Sequence, residues 1–292
     1  MQYFPHNAMK NSYKIVSLST VITCSVVFAG IAFAKPNTEK VPATNTKSGV
    51  VLTIPAHAIE MAPNVFSLGT AEVDGKTVEG IMFVHRKENA KPDNPGGGKG
   101  GGKGNKDNGS SCYAHLAKGA KWKVVEPWVL NPSNMHGLSE SFLLSNTANN
   151  FQKWEDEASV EIIGNGSITY ATLVADEVSP DNLNEIYFGN ISDPGVIGVT
   201  ITWGIFGGPP RNRELVEMDQ IYDQVDFSWN NDGSAGDMDY ENISTHEIGH
   251  GLGMGHPTDD CTEETMFRFA SEGETNKRDL NAGDISGIAN LY

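Results

Sequence analysis

The sequence predicts an α+β protein, and three observations carry that reading. Short runs alternating apolar and polar residues recur from Val50 onward. Two stretches with helical spacing interrupt or follow these runs in the second half of the chain, so strands and helices are not strictly paired. A tract of Gly, Lys and Asn, "PDNPGGGKGGGKGNKDNGSS", separates a small β-rich segment from the larger mixed region. With 292 residues, 38% of them hydrophobic, the chain has enough apolar side chains for a substantial core.

At the N-terminus, Lys10 and Lys14 precede an uncharged apolar run from Ile15 to Ala34 that closes on Ala32-Phe33-Ala34. A basic start, an apolar middle and a small-x-small exit predict a secretory signal peptide over residues 1–34. A membrane anchor is the competing reading, because a run of this length can span a bilayer. The Ser/Thr content and the Ala-x-Ala exit favour cleavage. Losing Lys10 and Lys14 from a chain of 21 basic and 37 acidic residues takes the formal charge from −16 to −18. Such a surface repels phosphate backbones, which excludes nucleic acid as an expected partner. No stable membrane insertion is expected after cleavage, and the expected location is outside the cell, with the periplasm or cell surface as variants. Of the three cysteines, Cys24 falls in the signal and Cys112 and Cys261 remain. Export permits a disulfide between them. The alternative is a Cys112 thiolate acting on a metal.

Residues 35–91 read as a polar leader followed by a small β unit. Its runs "VVLTIPAHAI", "NVFSLGTAEV" and "TVEGIMFVHR" are strand-like, with Asp74-Gly75-Lys76 as a turn between the last two. Whether this unit is a removable pro-segment or a permanent module stays open. Residues 92–111 are the Gly/Lys/Asn linker, and residues 112–292 form the larger region. There, "AKWKVVEPWVL" reads as a strand, and Leu144, Ala148, Phe151, Trp154 and Ala158 recur along an amphipathic helix. "SVEIIG", "NEIYFGN", "VIGVTITWG" and "DQIYDQVDFSW" supply four more strands. In the run from Val196 to Gly204, Gly198, Thr200 and Thr202 form a polar face, which predicts a strand at the edge of a sheet. Asp239 is the expected N-cap of the next helix, and Asn281 with Asp284 forms a capping-box variant for a last helix.

The chemistry concentrates in "STHEIGHGLGMGHPTDD". His246 and His250 are four apart, so a helix projects both from one face toward one metal ion. Glu247 sits beside the first of them, placed to take a proton from water, not to serve as a ligand. Gly253 can end the helix in a left-handed turn, letting His256 supply a third nitrogen. Three neutral imidazoles leave one position of tetrahedral Zn²⁺ open, the geometry of a catalytic site. The residues Cys112 and His115 imitate a ligand pair but make a weak signal. Asp232, Asp237 and Asp239 cluster ahead of the helix, leaving a Ca²⁺ site as an expectation against a simple capped acidic loop.

The string from His246 to His256 fills every fixed position of H-E-x-x-H-x-x-G-x-x-H and resembles the metzincin zinc endopeptidases. Met266, in "ETMFRFA", stands where their Met-turn falls. Arg268 replaces the tyrosine of the astacin-like and serralysin-like branches, so the chain is most similar to secreted microbial matrixin-like proteases. The resemblance covers about Ala120 to Tyr292. It implies a five-stranded mixed twisted sheet, an active-site helix, a Met-turn and a C-terminal helix. It further implies one catalytic zinc on His246, His250 and His256, Glu247 as general base, and protein or peptide substrates bound by a monomer. The edge strand from Val196 to Trp203 is the expected platform for an extended substrate. Pro257 and Arg268 depart from the pattern of animal matrixins, and their cysteine latency motif is absent. A zinc hydrolase of non-peptide substrates and a catalytically silent binding or adhesion protein are the competing readings. Glu247 speaks against silence, because a protein without chemistry has no use for that acid.

Overall fold

The computed structural model describes residues 50–88 and 112–292. The expected signal peptide, most of the leader and the Gly/Lys/Asn linker lie outside the described residues. In chain order the strands before the first helix are β1 (Val51–Leu52), β2 (Ile59–Ala62), β3 (Val65–Val73), β4 (Lys76–Lys87), β5 (Ala114–His115) and β6 (Glu126–Asn131). Helix α1 (Glu140–Ala158) precedes β7 (Ile163–Ile168), β8 (Asn184–Ile191), β9 (Val196–Ile205), β10 (Glu214–Asp223), β11 (Trp229–Asn230) and β12 (Met238–Asp239). Helix α2 (Tyr240–Gly251), β13 (Met254–Gly255), β14 (Phe269–Ala270) and helix α3 (Ala282–Leu291) complete the order. The fold is α+β, with one large mixed sheet and few helices.

All five strands read from the larger region lie in this sheet, in the order β9-β10-β8-β6-β7. Strand β9 is antiparallel to β10, while β10, β8, β6 and β7 run parallel to one another. Several of their boundaries move: β6 begins only at Glu126, and β10 spans Glu214–Asp223 and does not reach Trp229. The strand expected at "SVEIIG" begins only at Ile163, because Ser159 ends α1 with φ 57° in the left-handed region.

The sheet does not stop at β9, which corrects two expectations. Strands β4, β3 and β2 continue it beyond β9, β14 pairs with β4 and β1 with β8, so among the described residues ten strands share one sheet. The N-terminal segment is therefore not a separate β unit. Its hairpin forms as expected, with Asp74 and Gly75 both at positive φ (50° and 74°) in a tight turn. A hairpin alone could not bury Ile81, Met82, Phe83 and Val84, which are apolar on both faces of β4 and buried. Strand β9 is correspondingly interior, not an edge. Its polar face serves the helix behind it, since the Thr200 and Thr202 hydroxyls hydrogen-bond α2 at Glu247 Oε2 (2.6 Å) and the His250 carbonyl (3.5 Å).

Helices cover one face of the sheet. Leu143, Phe151 and Trp154 of α1, Ile243 and Ile248 of α2 and Ile288 of α3 are buried in a single cluster with Trp128, Ile186 and Met218. Burying side chains of this size contributes about 1.5–3 kcal/mol each. The opposite face buries Met82, Val84, Val199, Ile201, Trp203 and Ile221 beneath Leu52, Leu68 and Leu173. No helix among the described residues is long and apolar enough to cross a membrane.

Candidate metal centre

Helix α2 begins where the Asp239 side chain accepts the Asn242 backbone N–H (2.9 Å) and pairs with Arg278. Asp239 is thus a cap and an ion-pair partner, and Asp232 accepts from Ser234. The calcium grouping expected at Asp232, Asp237 and Asp239 is not assembled among the described residues, because these carboxylates are engaged locally and do not converge. Helix α2 ends as expected: Gly253 adopts φ 97°, and its N–H donates to the His250 carbonyl at 2.9 Å. A side chain there would be strained by φ and would lie 2.9 Å from the Ala120 carbonyl oxygen.

The turn brings His256 back to the two helical histidines. His250 Nε2 lies 3.1 Å from His246 Nε2 and 3.0 Å from His256 Nε2. His246 Nδ1 donates to the Thr265 carbonyl at 2.6 Å, and His250 Nδ1 donates to the Met254 carbonyl at 3.0 Å. A nitrogen facing a carbonyl must carry the proton, so on these two rings the Nε2 lone pairs are left to face the shared point. Three lone pairs this close repel unless a cation lies between them. Tetrahedral zinc with Zn–N of about 2.0–2.1 Å puts its nitrogens about 3.3 Å apart, close to what the rings show. Burial lowers the pKa of all three histidines, that of His250 to about 4, which keeps them neutral and competent as ligands. The donor set therefore fits a single divalent ion.

Glu247 is fully buried, and burial pushes its carboxyl up to about 7, against the opposing pull of His250 and the Thr200 hydroxyl. Strand β9 makes room for it at Gly198, where a Cβ would sit 3.0 Å from Glu247 Oε1. Met266 is buried beneath α2, and its sulfur occupies the space that a side chain at Gly249 would need. Asp284 of α3 holds this floor, accepting the backbone N–H of Thr265 (2.7 Å) and Met266 (3.1 Å). The last helix thus orients His246 through the Thr265 carbonyl. Trp154 of α1 donates to the Thr245 carbonyl at 3.0 Å and fixes α2 from the other side.

The remaining sequence candidates fall away from the metal point. Cys112 is bonded to Cys261 with Cα atoms 5.5 Å apart, so it is not a thiolate over the metal. His115 hydrogen-bonds the Gly287 carbonyl at 2.8 Å, which removes the Cys112/His115 pair as ligands. Arg268 is mostly buried, pairs with the exposed Asp259, and lies near enough to His256 for its charge to help keep that ring neutral.

Two residues in the site carried no recognised sequence signal. His85 of β4 stacks on His246 with ring centroids 3.9 Å apart, and its Nδ1 lies 3.1 Å from Glu247 Oε1. Phe83 stacks on His250 at 3.9 Å. The run before His85 was read only as a strand, which says nothing of what its two faces meet.

The matrixin family profile matches residues 57–292, most of the chain, and includes both the hairpin and the histidine site. The chain belongs to the matrixin family. Within it, a stretch of 56 residues is 39% identical to the metalloendoproteinase 1-MMP of Arabidopsis thaliana, covering 19% of this chain and 14% of that protein. A stretch of 61 residues is 38% identical to human matrilysin, covering 21% of this matrixin and 22% of its relative. The alignments thus span well under two thirds of either relative. Among solved structures, metalloproteinase-II from Bacteroides fragilis aligns over 77% of this chain and 78% of its own at 12% identity, with a TM-score of 0.31.

Proposed function

We propose that this matrixin is a secreted zinc endopeptidase that hydrolyses peptide bonds in proteins or peptides, with Glu247 as general base. The observation that carries the reading is the convergence of three neutral imidazole nitrogens beside a buried carboxylate that is not one of them. His246, His250 and His256 would hold the zinc. When bound, zinc supplies a Lewis-acid centre that polarises the substrate carbonyl and makes water a stronger acid.

The chain's own groups do the rest. Glu247 accepts the proton of the attacking water and returns it to the leaving amine, so water's oxygen ends on the carbonyl carbon and both new termini are complete. The Thr200 hydroxyl donates to Glu247 Oε2 and holds the carboxylate in one rotamer. Met266, Trp154 and Asp284 keep α2 and the Met-turn rigid beneath the reacting groups. The named peptidases among the relatives support the substrate class. Export is supported by the Ala-x-Ala exit of the leading apolar run and by the disulfide, which needs an oxidising compartment.

The test uses protein recovered from an expressing culture, denatured casein as substrate, and a chelator control. Glu247→Gln should lower chelator-sensitive turnover by about 10²-fold or more while zinc stays bound at one equivalent. Turnover within a few-fold of the parent in that variant removes Glu247 as the base. A parent that binds no zinc removes the metal centre itself.

A further inference from the structure

A cleft of about 520 Å³ opens between the C-terminal half of α1 and β7, and none of the histidines lines it. Its floor is Trp128 and Phe151, whose ring centroids lie 5.3 Å apart. Ala148, Gly164 and Gly166 leave it open by lining it with little or no side chain. At Gly166 the residue choice is forced, since a Cβ would lie 2.2 Å from the Trp128 ring. The rim carries Glu155, Asp156 and Glu161, and among the described residues no basic side chain lines the cleft. Lys153, the basic residue nearest in sequence, is engaged elsewhere, donating to Glu241 Oε1 at 2.6 Å and to the Arg278 carbonyl at 2.7 Å.

These acids also stand at the unfavourable end of their helix. Helix α1 has no basic residue in its last turn, so Glu155, Asp156 and Glu157 lie where the helix dipole is already negative. Glu155 has a structural task, because its Oε1 accepts the backbone N–H of Ile162 (2.7 Å) and Ile163 (2.9 Å) and fixes the turn into β7. Asp156 accepts from the neutral Gln152 at 2.7 Å, and Glu161 is exposed. Nothing cationic in the cleft balances them.

Strand β7 is the last strand of the sheet among the described residues, paired with β6 on one side only. Its run Ile163–Ile168 holds neither Lys nor Pro, residues that guard such edges against pairing. A bare edge accepts an extended peptide through its backbone groups, and alternate side chains of that peptide turn toward one face. A lysine or arginine turned toward the cleft lays its methylenes against the apolar floor and its charged head among the carboxylates.

We propose that this cleft and the free edge of β7 form a second binding site, which takes an extended basic segment of a protein substrate and holds it while another part of the same substrate is cut. The proposal rests on the peptidase reading above for its consequence, but not for the binding itself. The occupant is basic by charge complementarity to the rim and extended because the edge offers backbone groups. The formal charge of −16 draws such a segment in from a distance. Strand β7 lies four strand positions from β9, the strand beside Glu247, which is roughly 20 Å at a spacing of about 4.8 Å. The basic segment and the scissile bond are therefore at least about six residues apart in the substrate.

The test uses the full-length, zinc-loaded chain and a fluorescently labelled peptide of alternating arginine and threonine, with glutamate in place of arginine as the control peptide. Anisotropy reads binding. Two variants alter exposed residues of the lining: Asp156→Lys/Glu161→Lys reverses the charge of the cleft, and Ala148→Trp fills it without changing its charge. Glu60→Lys/Glu72→Lys makes the same charge change at the opposite end of the sheet. The arginine peptide should bind the parent and the glutamate peptide should not. Each cleft variant should weaken binding by about tenfold or more, while Glu60→Lys/Glu72→Lys stays within about threefold. In hydrolysis, a quenched peptide joined through a flexible spacer to the arginine tail should show a KM raised about fivefold or more in the cleft variants at unchanged kcat, and the tail-free peptide should show no change. No binding to the parent, full binding to Ala148→Trp, equal weakening by Glu60→Lys/Glu72→Lys, or an unchanged KM in a chain that hydrolyses the tailed peptide overturns the proposal. If no form hydrolyses peptide while binding depends on the cleft, the binding site stands and the peptidase reading fails. Should Ala148→Trp not fold, Gln152→Trp, at another exposed residue of the lining, is read in its place.

Discussion

Replacing both Cys112 and Cys261 by serine should destabilise the protein by about 5 kcal/mol. The bond joins residues 149 apart, and closing a loop of that length in the unfolded chain removes an entropy that grows as 1.5R ln n, which at room temperature amounts to about 5 kcal/mol. A region of this size loses about 2–4 °C of melting temperature per kcal/mol, so the midpoint should fall by about 10–20 °C. The folded contacts offset little of this. Cys112 keeps its place because its carbonyl packs on Gly283 of α3, where any Cβ would collide with it. Cys261 is buried in the loop between His256 and Met266, so that loop is the part left without its tether. The assay is equilibrium urea unfolding of parent and variant with zinc held in excess, repeated for the parent under reductant. A loss below about 1 kcal/mol would show that the unfolded chain gains little freedom, and the loop-entropy reasoning would fail. Titration of two free thiols in the folded parent would refute the bond itself.

Two further outcomes follow from packing and burial. Gly249→Ala would push a methyl into Met266 Sδ and to 2.8 Å from Trp154 Cζ2, so it should cost about 1–3 kcal/mol and weaken zinc retention; calorimetry and metal analysis read both. Glu217 and Asp219 of β10, with Glu185 of β8, form a buried acidic group against Asp176. Burial raises all three, Glu185 to about 7, and the Asp176 charge raises Glu217 further. A folded pKa above the unfolded one means that the folded state holds its proton longer. The associated stability is present below the ordinary carboxylate range and is lost as pH rises through the raised values. Melting temperature should therefore decline from about pH 5 to pH 9, and Glu217→Gln should flatten that decline. A variant whose profile parallels that of the parent would show that Glu217 is not its source.

Much of the catalytic region was legible in residue order because its determinants are local. The four-residue spacing of His246 and His250 is a property of any helix, and the stop at Gly253 follows from the backbone freedom of glycine. The Asp239 cap was read from its place ahead of the histidine helix and the Asn281/Asp284 capping box from two positions three apart, and both form. The disulfide was expected from two cysteines, Cys112 and Cys261, outside the leading apolar run, and the two are bonded. Alternation along Val196–Gly204 was also read correctly as a strand, but alternation reports only that two faces differ. It does not say whether the polar face meets water or the threonine-accepting side of a helix.

By itself, then, the residue order placed His246, His250 and His256 together with Glu247 on and just after one helix, since each is written within a few residues of its partner. Tertiary structure alone decided that β9 is interior, that Asp284 props the Met-turn from the last helix, and that His85 and Phe83 of a distant hairpin rest on the histidines. These pairings join residues more than a hundred positions apart or on different elements. The first and last of these come from burying both faces of β4 at once, and the second from the Thr265 and Met266 N–H groups donating to Asp284, conditions that no window of sequence contains.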